Sequence, residues 1–112
     1  MLFLVLIYHH DAKMAAATAA EHEALGRDYG AFNKFLAESG ALRGTATWPA
    51  GVATIRSQDG EALVTEGPYS EAKDKVAGFF LIEVEDMDAA IGFAKRVPGA
   101  QYGGVEIRPV QV

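Results

Sequence analysis

The run Leu2 to His9, "LFLVLIYH", is apolar at nearly every position, rich in branched and aromatic side chains, and of strand length. Successive strand side chains point to opposite faces, so Leu2, Leu4 and Leu6 occupy one side and Phe3, Val5 and Ile7 the other. Both sides lose free energy in water, and the strand needs a cover on each face. Val76 to Glu85 repeats the demand, with Phe80, Ile82 and Val84 on one face and Phe79 and Leu81 on the other. A chain of 112 residues is one domain by size, 1–112, so the covers must come from the segments between these strands or from another molecule.

Two helices are available. Thr18 and Glu21 have the spacing of a capping box, in which each side chain satisfies the other's free backbone amide. Leu25, Tyr29, Phe32 and Leu36 then fall on one helical face, and Gly40 supplies a left-handed cap, which predicts a helix over Ala19 to Ser39 after a loop "HDAKMAAA". Asp86 caps a second helix with Met87, Ala90, Ile91, Ala94 and Val97 on one face, ended by Pro98-Gly99. "LRGTATWP" reads as a strand stopped by Pro49, "VATIRS" and "ALVTEG" as two strands joined at Gln58-Asp59-Gly60, and "GGVEIRPV" as a last strand. The order β-α-β-(β-β)-β-α-β is a ferredoxin-like α+β sheet with an inserted β-hairpin. Two helices cover only one face of such a sheet. The uncovered apolar face predicts a homodimer, with the sheets of two chains packed across a two-fold axis.

Charge and composition narrow the function. Half the residues are apolar and 22% charged, which suits a soluble domain with a core. The formal net charge is −5 and the longest basic cluster is Lys95-Arg96, so no nucleic acid partner is expected. With no cysteine, disulfides, thiolate metal sites and a Cys nucleophile are excluded. "MLFLVLI" has neither the basic start nor the cleavage site of a signal peptide and is too short to span a bilayer. It reads as the first strand of a cytoplasmic protein with no membrane partner. No motif points to a cofactor, and none is expected.

Several residues are candidates for chemistry. Glu106 and Arg108 share the face of the last strand opposite Val105 and Ile107; if the latter pair meets the helices, the charged pair lines the gap between sheets. The competing reading is a solvated edge strand whose charges deter aggregation. His22 extends the apolar stripe of the first helix toward its start and could act as a general base, or simply close the helix end. Tyr29 is on the core face of that helix, with packing as its default role and a hydroxyl available to a ligand. His9-His10-Asp11 suggests a metal patch, but adjacent strand residues point apart, and no metal site is expected. In Glu66-Gly67-Pro68-Tyr69, Gly-Pro forces a turn after a strand, and the Glu66 carboxylate needs burial to serve as a base.

"LVTEGPYSEAKDKVAGFFLIEVEDMDAAIGFAKRVP" followed by "GGVEIRPV" closely resembles the YCII-related family, in particular the subgroup with the motif Asp-Gly-Pro-Phe, here Glu66-Gly67-Pro68-Tyr69. The likeness covers nearly the whole chain. It implies a dimeric α+β barrel, possible sigma-factor association, and, in the wider family, lyases or dehydrochlorinases using a His and Asp pair in a cleft. The helix histidine of that family falls on Tyr29 here.

Two functions compete, ahead of a third that borrows from the dimeric barrel fold alone, which cofactor-free monooxygenases and haem-handling proteins share. One is a dimeric module binding a small molecule or regulatory partner near the inter-sheet cleft, with Gly67, Pro68, Tyr69, Glu106 and Arg108 as ligand contacts. The other is a lyase-like enzyme in which Glu66, His22 or Tyr29 moves a proton on a small cyclic or anionic substrate. No complete catalytic constellation stands at recognisable spacing, which leaves enzyme status open.

Overall fold

The computed structural model describes residues 1–48, 51–70 and 72–112. Its elements in chain order are β1 (Leu2–His10), α1 (Asp11–Ala16), α2 (Ala19–Ser39), β2 (Leu42–Thr47), β3 (Ala53–Gln58), β4 (Glu61–Glu66), β5 (Asp74–Glu83), α3 (Met87–Ala94), a 3₁₀ turn (Pro98–Tyr102) and β6 (Gly103–Val110). Four strands form an antiparallel sheet in the order β2-β5-β1-β6, and β3 pairs with β4 separately. Among the described residues, no helix is long and apolar enough to cross a membrane. Pro49, expected to stop the second strand, lies outside the described residues.

The two-sided strand β1 sits in the middle of the sheet, between β5 and β6. Its Phe3, Val5 and Ile7 are buried against Phe32 and Leu36 of α2 and Ala90 and Ala94 of α3. Phe80 and Ile82 of β5 complete this layer, with Phe32 and Phe80 edge to face at 5.2 Å. The strand register settles β6 as well. Ile107 lies opposite Val5 and Val105 opposite Ile7, so both face the helices, while Glu106 and Arg108 lie opposite Leu6 and Leu4 on the outer face. Leu81 and Phe79 share that outer face, being paired with Leu4 and Leu6. Both helices thus serve one side of the sheet, and the outer side carries an uncovered apolar surface.

Helix α2 begins at the capping box, with Thr18 Oγ1 accepting from the Glu21 amide and Glu21 Oε1 from the Thr18 amide. It ends at Gly40, whose φ of 78° is open to glycine at little cost. Two expectations are corrected. "HDAKMAAA" is not a loop: Asp11–Ala16 forms the short helix α1, where alanines of high helical propensity follow an acidic first turn. Asp11 ties it to β5, its amide donating to the Lys73 carbonyl and its carboxylate 3.0 Å from Lys75 Nζ. On α3, Ala90 and Ala94 are buried but Met87 and Ile91 are 37% exposed, because the small residues let the helix lie close to the sheet and turn the large ones outward.

Candidate functional site

At the end of β1 the half-buried His9 and Tyr29 and the exposed Asn33, Thr45 and Thr47 border the helix–sheet layer. His9 continues the helix-facing series Phe3, Val5, Ile7, and α2 lowers Tyr29 and Asn33, one turn apart, toward it. Thr45 and Thr47 contribute from β2, two residues apart along the strand. These five line a cavity of about 110 Å³ whose remaining walls include Ile7, Phe79 and Phe80. None of the residues lining it carries a carboxylate, ammonium or guanidinium group.

Two glycines, Gly78 in the cavity wall and Gly99 behind His9 and Tyr29, stand where a side chain would collide with its neighbours. A side chain at Gly99, in the 3₁₀ turn, would overlap the Tyr29 hydroxyl and come 2.7 Å from His9 Nε2, so both groups converge on that glycine. At Gly78 a Cβ would stand 2.8 Å from the Ala46 carbonyl oxygen and 3.2 Å from Thr47 Cγ2, where β5 and β2 run close. The β1–β5 register shifts between Ile7 and Tyr8, which places an irregularity beside the Gly78 wall of the cavity.

His9 Nε2 and Tyr29 Oη, like His10 Nδ1, are buried yet make no hydrogen bond of good geometry among the described residues, although the Gly99 backbone lies near enough to the Tyr29 hydroxyl to act on its proton. Such groups are rare in native proteins because each has lost its water contacts without a replacement. Burial lowers the His9 pKa from its ordinary 6.5, so the ring is neutral at neutral pH and one nitrogen offers a lone pair. Burial raises that of Tyr29, opposed by the nearby Gly99 backbone, so its hydroxyl remains a donor. A neutral base and a neutral hydroxyl thus face an apolar cavity. A ligand with one proton to give and one oxygen to receive a hydrogen bond would satisfy both.

Of the residues singled out from sequence, Tyr29 is in this cavity. His22 is exposed in the first turn of α2, about 10 Å of helix rise from Tyr29. Glu66 is exposed at the end of β4. Gly67 takes φ 113°, accepts from Thr54 Oγ1 at 2.7 Å and donates to the Val52 carbonyl, closing the base of the β3–β4 ribbon. Pro68 and Tyr69 are exposed, and Tyr69 folds back on the ribbon, its ring 4.5 Å beneath the Arg56 guanidinium. Glu106 and Arg108 pair with one another at 2.7 Å on the outer sheet face, the side away from the cavity. Within one chain the charged pair and the cavity are therefore separate. Among the described residues no group of three or more His, Asp or Glu stands together in a way that could hold a metal ion.

Sequence reasoning did not select His9, Asn33, Thr45, Thr47 or Gly99. His9 was weighed only as half of a metal patch, although its odd position in β1 puts it on the face of Ile7. The i, i+4 spacing of Tyr29 and Asn33 is the matching signal on the helix.

Comparison with known proteins follows the fold. The family model of the YCII-related domain matches residues 1–112. The chain is 33% identical over 114 residues to an uncharacterised protein of Rhizobium meliloti (strain 1021), covering 98% of this chain and 92% of that one. In three dimensions it is similar to 5-chloro-2-hydroxyhydroquinone dehydrochlorinase from Burkholderia phenoliruptrix AC1100, solved in complex with 2,5-dihydroxybenzoquinone. The TM-score is 0.53 at 15% identity, over 99% of this chain and 94% of that chain. At that identity the likeness is one of fold.

Proposed function

The chain belongs to the YCII-related domain family, and on that premise we propose that it is a small lyase-like enzyme that moves a proton on an uncharged, hydroxylated ring compound held between His9 and Tyr29. The observation that carries this reading is the pair of buried, unpartnered polar atoms, His9 Nε2 and Tyr29 Oη, at one small cavity. A base must reach the proton it removes, and a donor must reach the oxygen on which charge develops. In the proposed step His9 takes a proton from the ligand, the freed electron pair forms a new double bond, and the leaving group departs with its bonding pair. Tyr29 donates to the ligand oxygen as it becomes more negative.

The size and lining of the cavity support the substrate class. An apolar cavity of about 150 Å³ takes up benzene, so about 110 Å³ open on one side admits part of a single ring. With no cationic side chain in the wall, a carboxylate ligand would be desolvated without a partner, which favours a neutral phenolic compound. The solved neighbour of like fold is a dehydrochlorinase of a hydroxylated ring, the same class of compound.

The reading includes two-fold association through the outer sheet face, and it places Glu66-Gly67-Pro68-Tyr69 as this chain's form of the Asp-Gly-Pro-Phe motif. A module that holds such a ligand without converting it is the second reading. It draws on the absence of a carboxylate from the cavity wall, since the wider family's pair includes an Asp.

The test is chloride release from 5-chloro-2-hydroxyhydroquinone, with binding followed by calorimetry. Wild type is expected to release chloride, and His9→Gln and Tyr29→Phe to lose at least about tenfold in rate each, a typical share for one acid–base or hydrogen-bonding group. Binding with no turnover would establish the module instead. Neither binding nor turnover for this compound and unsubstituted hydroquinone would overturn both.

A further inference from the structure

The β3–β4 ribbon is the one part of the described chain that leaves the two-layer domain. The radius of gyration is 16.0 Å, against about 13 Å for a compact chain of this length. All but one of the ribbon's strand residues are exposed, Thr54 being the exception. An isolated two-stranded ribbon is marginal in water and needs a surface to lie on.

Its two faces differ. The register pairs Thr54 with Thr65 and Arg56 with Leu63 on one face. The chain's own Gly67–Tyr69 segment folds over that face through Thr54 and Arg56. The opposite face carries Ala53, Ile55, Ser57, Ala62, Val64 and, at its base, Glu66, with Ile55 paired to Val64. No described residue covers it: Ile55 is 67% and Val64 66% exposed. The one charge on this face, Glu66 at the base of the ribbon, is negative, which gives neither a phosphate backbone nor an anionic lipid surface anything to recognise.

The apolar surface is continuous with the outer sheet face. Trp48, 45% exposed, stacks near Phe79 with ring centroids 6.5 Å apart and donates to the Val76 carbonyl at 3.2 Å. It therefore carries the Leu4, Leu6, Phe79, Leu81 surface to the edge from which the ribbon departs.

Area decides what a second copy needs. Four strands of about eight residues outline a sheet face of roughly 500 Å², short of the about 800 Å² that a stable interface takes from each partner. The uncovered ribbon face adds about 200 Å². In a two-fold dimer each copy both gives its ribbon and receives the other's, so a ribbon that lies beyond the partner's sheet face counts twice and brings the total to the required size.

We propose that the β3–β4 ribbon is a docking arm for a second copy of this chain, its Ile55–Val64 face lying on the partner protomer in reciprocal exchange. This rests on the two-fold association of the outer sheet faces and adds the element that completes it. The arm contributes contact area and fixes the register of the two sheets.

Sedimentation equilibrium of the full chain tests it. Wild type is expected at twice 11.9 kDa. Ile55→Lys/Val64→Lys is expected to keep its far-ultraviolet circular dichroism and to dissociate at a concentration at least about tenfold higher, as does Leu6→Lys on the sheet face. A wild-type dimer unaffected by the arm substitutions would overturn the arm and leave the sheet association standing. A wild-type monomer at all concentrations would overturn both. Because the chain has no cysteine, Ile55→Cys gives a single thiol for a reading that does not depend on the lysine variants. Its labelling is expected to be slowed in the dimer and restored on dilution, and equal rates in both states would also overturn the arm.

Discussion

His9, Tyr29 and Gly99 form the smallest unit on which the proposed function depends. Gly99→Ala is expected to destabilise the fold by about 1–3 kcal/mol, the range for forcing extra volume into a packed site. It should also displace the Tyr29 hydroxyl and the His9 ring, so turnover falls with stability; urea unfolding beside a rate assay checks both. Titration gives a second prediction. Burial holds the His9 pKa below 6.5 in the folded chain, so as pH falls the unfolded chain takes up that proton first. The stability tied to the neutral ring is fully present above 6.5 and is lost as pH drops toward the lowered folded value. Wild type is therefore expected to lose stability relative to His9→Gln below pH 6.5, read from urea midpoints at neutral and mildly acidic pH. Turnover is expected to fall over the same interval, because protonation removes the lone pair.

At the scale of elements, α2 was legible in full. Its start is written in two side chains and its end in one glycine, and the observed Ala19–Ser39 agrees with both signals. Thr18→Ala is expected to cost about 1 kcal/mol, measured by chemical denaturation, since it leaves a helix-end amide without its acceptor. α1 was not legible, because it buries nothing and so has no apolar periodicity; only alanine propensity marks it. The outward turn of Met87 and Ile91 on α3 has no signal in the sequence for a related reason. Hydrophobic spacing assigns a face, but how near the helix approaches the sheet is set by small residues such as Ala90 and Ala94 on both sides of the contact.

For the whole molecule, the thin outline of 48 × 40 × 19 Å is that of one helix layer on one sheet, with a ribbon extending from it. Among the described residues, the ribbon's hydrogen bonds beyond its two strands go to its own flanking residues Gly67 and Tyr69. Replacing 53–66 with a short glycine-rich link is therefore expected to change unfolding free energy by no more than about 1 kcal/mol in dilute solution. Circular dichroism melts at low and high concentration check this, with the larger loss confined to the concentrated sample.

The sequence by itself determined that β1 and β5 are apolar on both faces, that two helices accompany them, and that Val105 and Ile107 oppose Glu106 and Arg108. Each follows from periodicity or a local cap, which act over a few residues. Only the tertiary structure decided where the reactive groups meet. His9 lies twenty residues before Tyr29 and ninety before Gly99, and their meeting depends on strand order, the β1–β5 bulge and the distance between helix and sheet. None of these has a local signal, because they arise from packing contacts between segments remote in the chain.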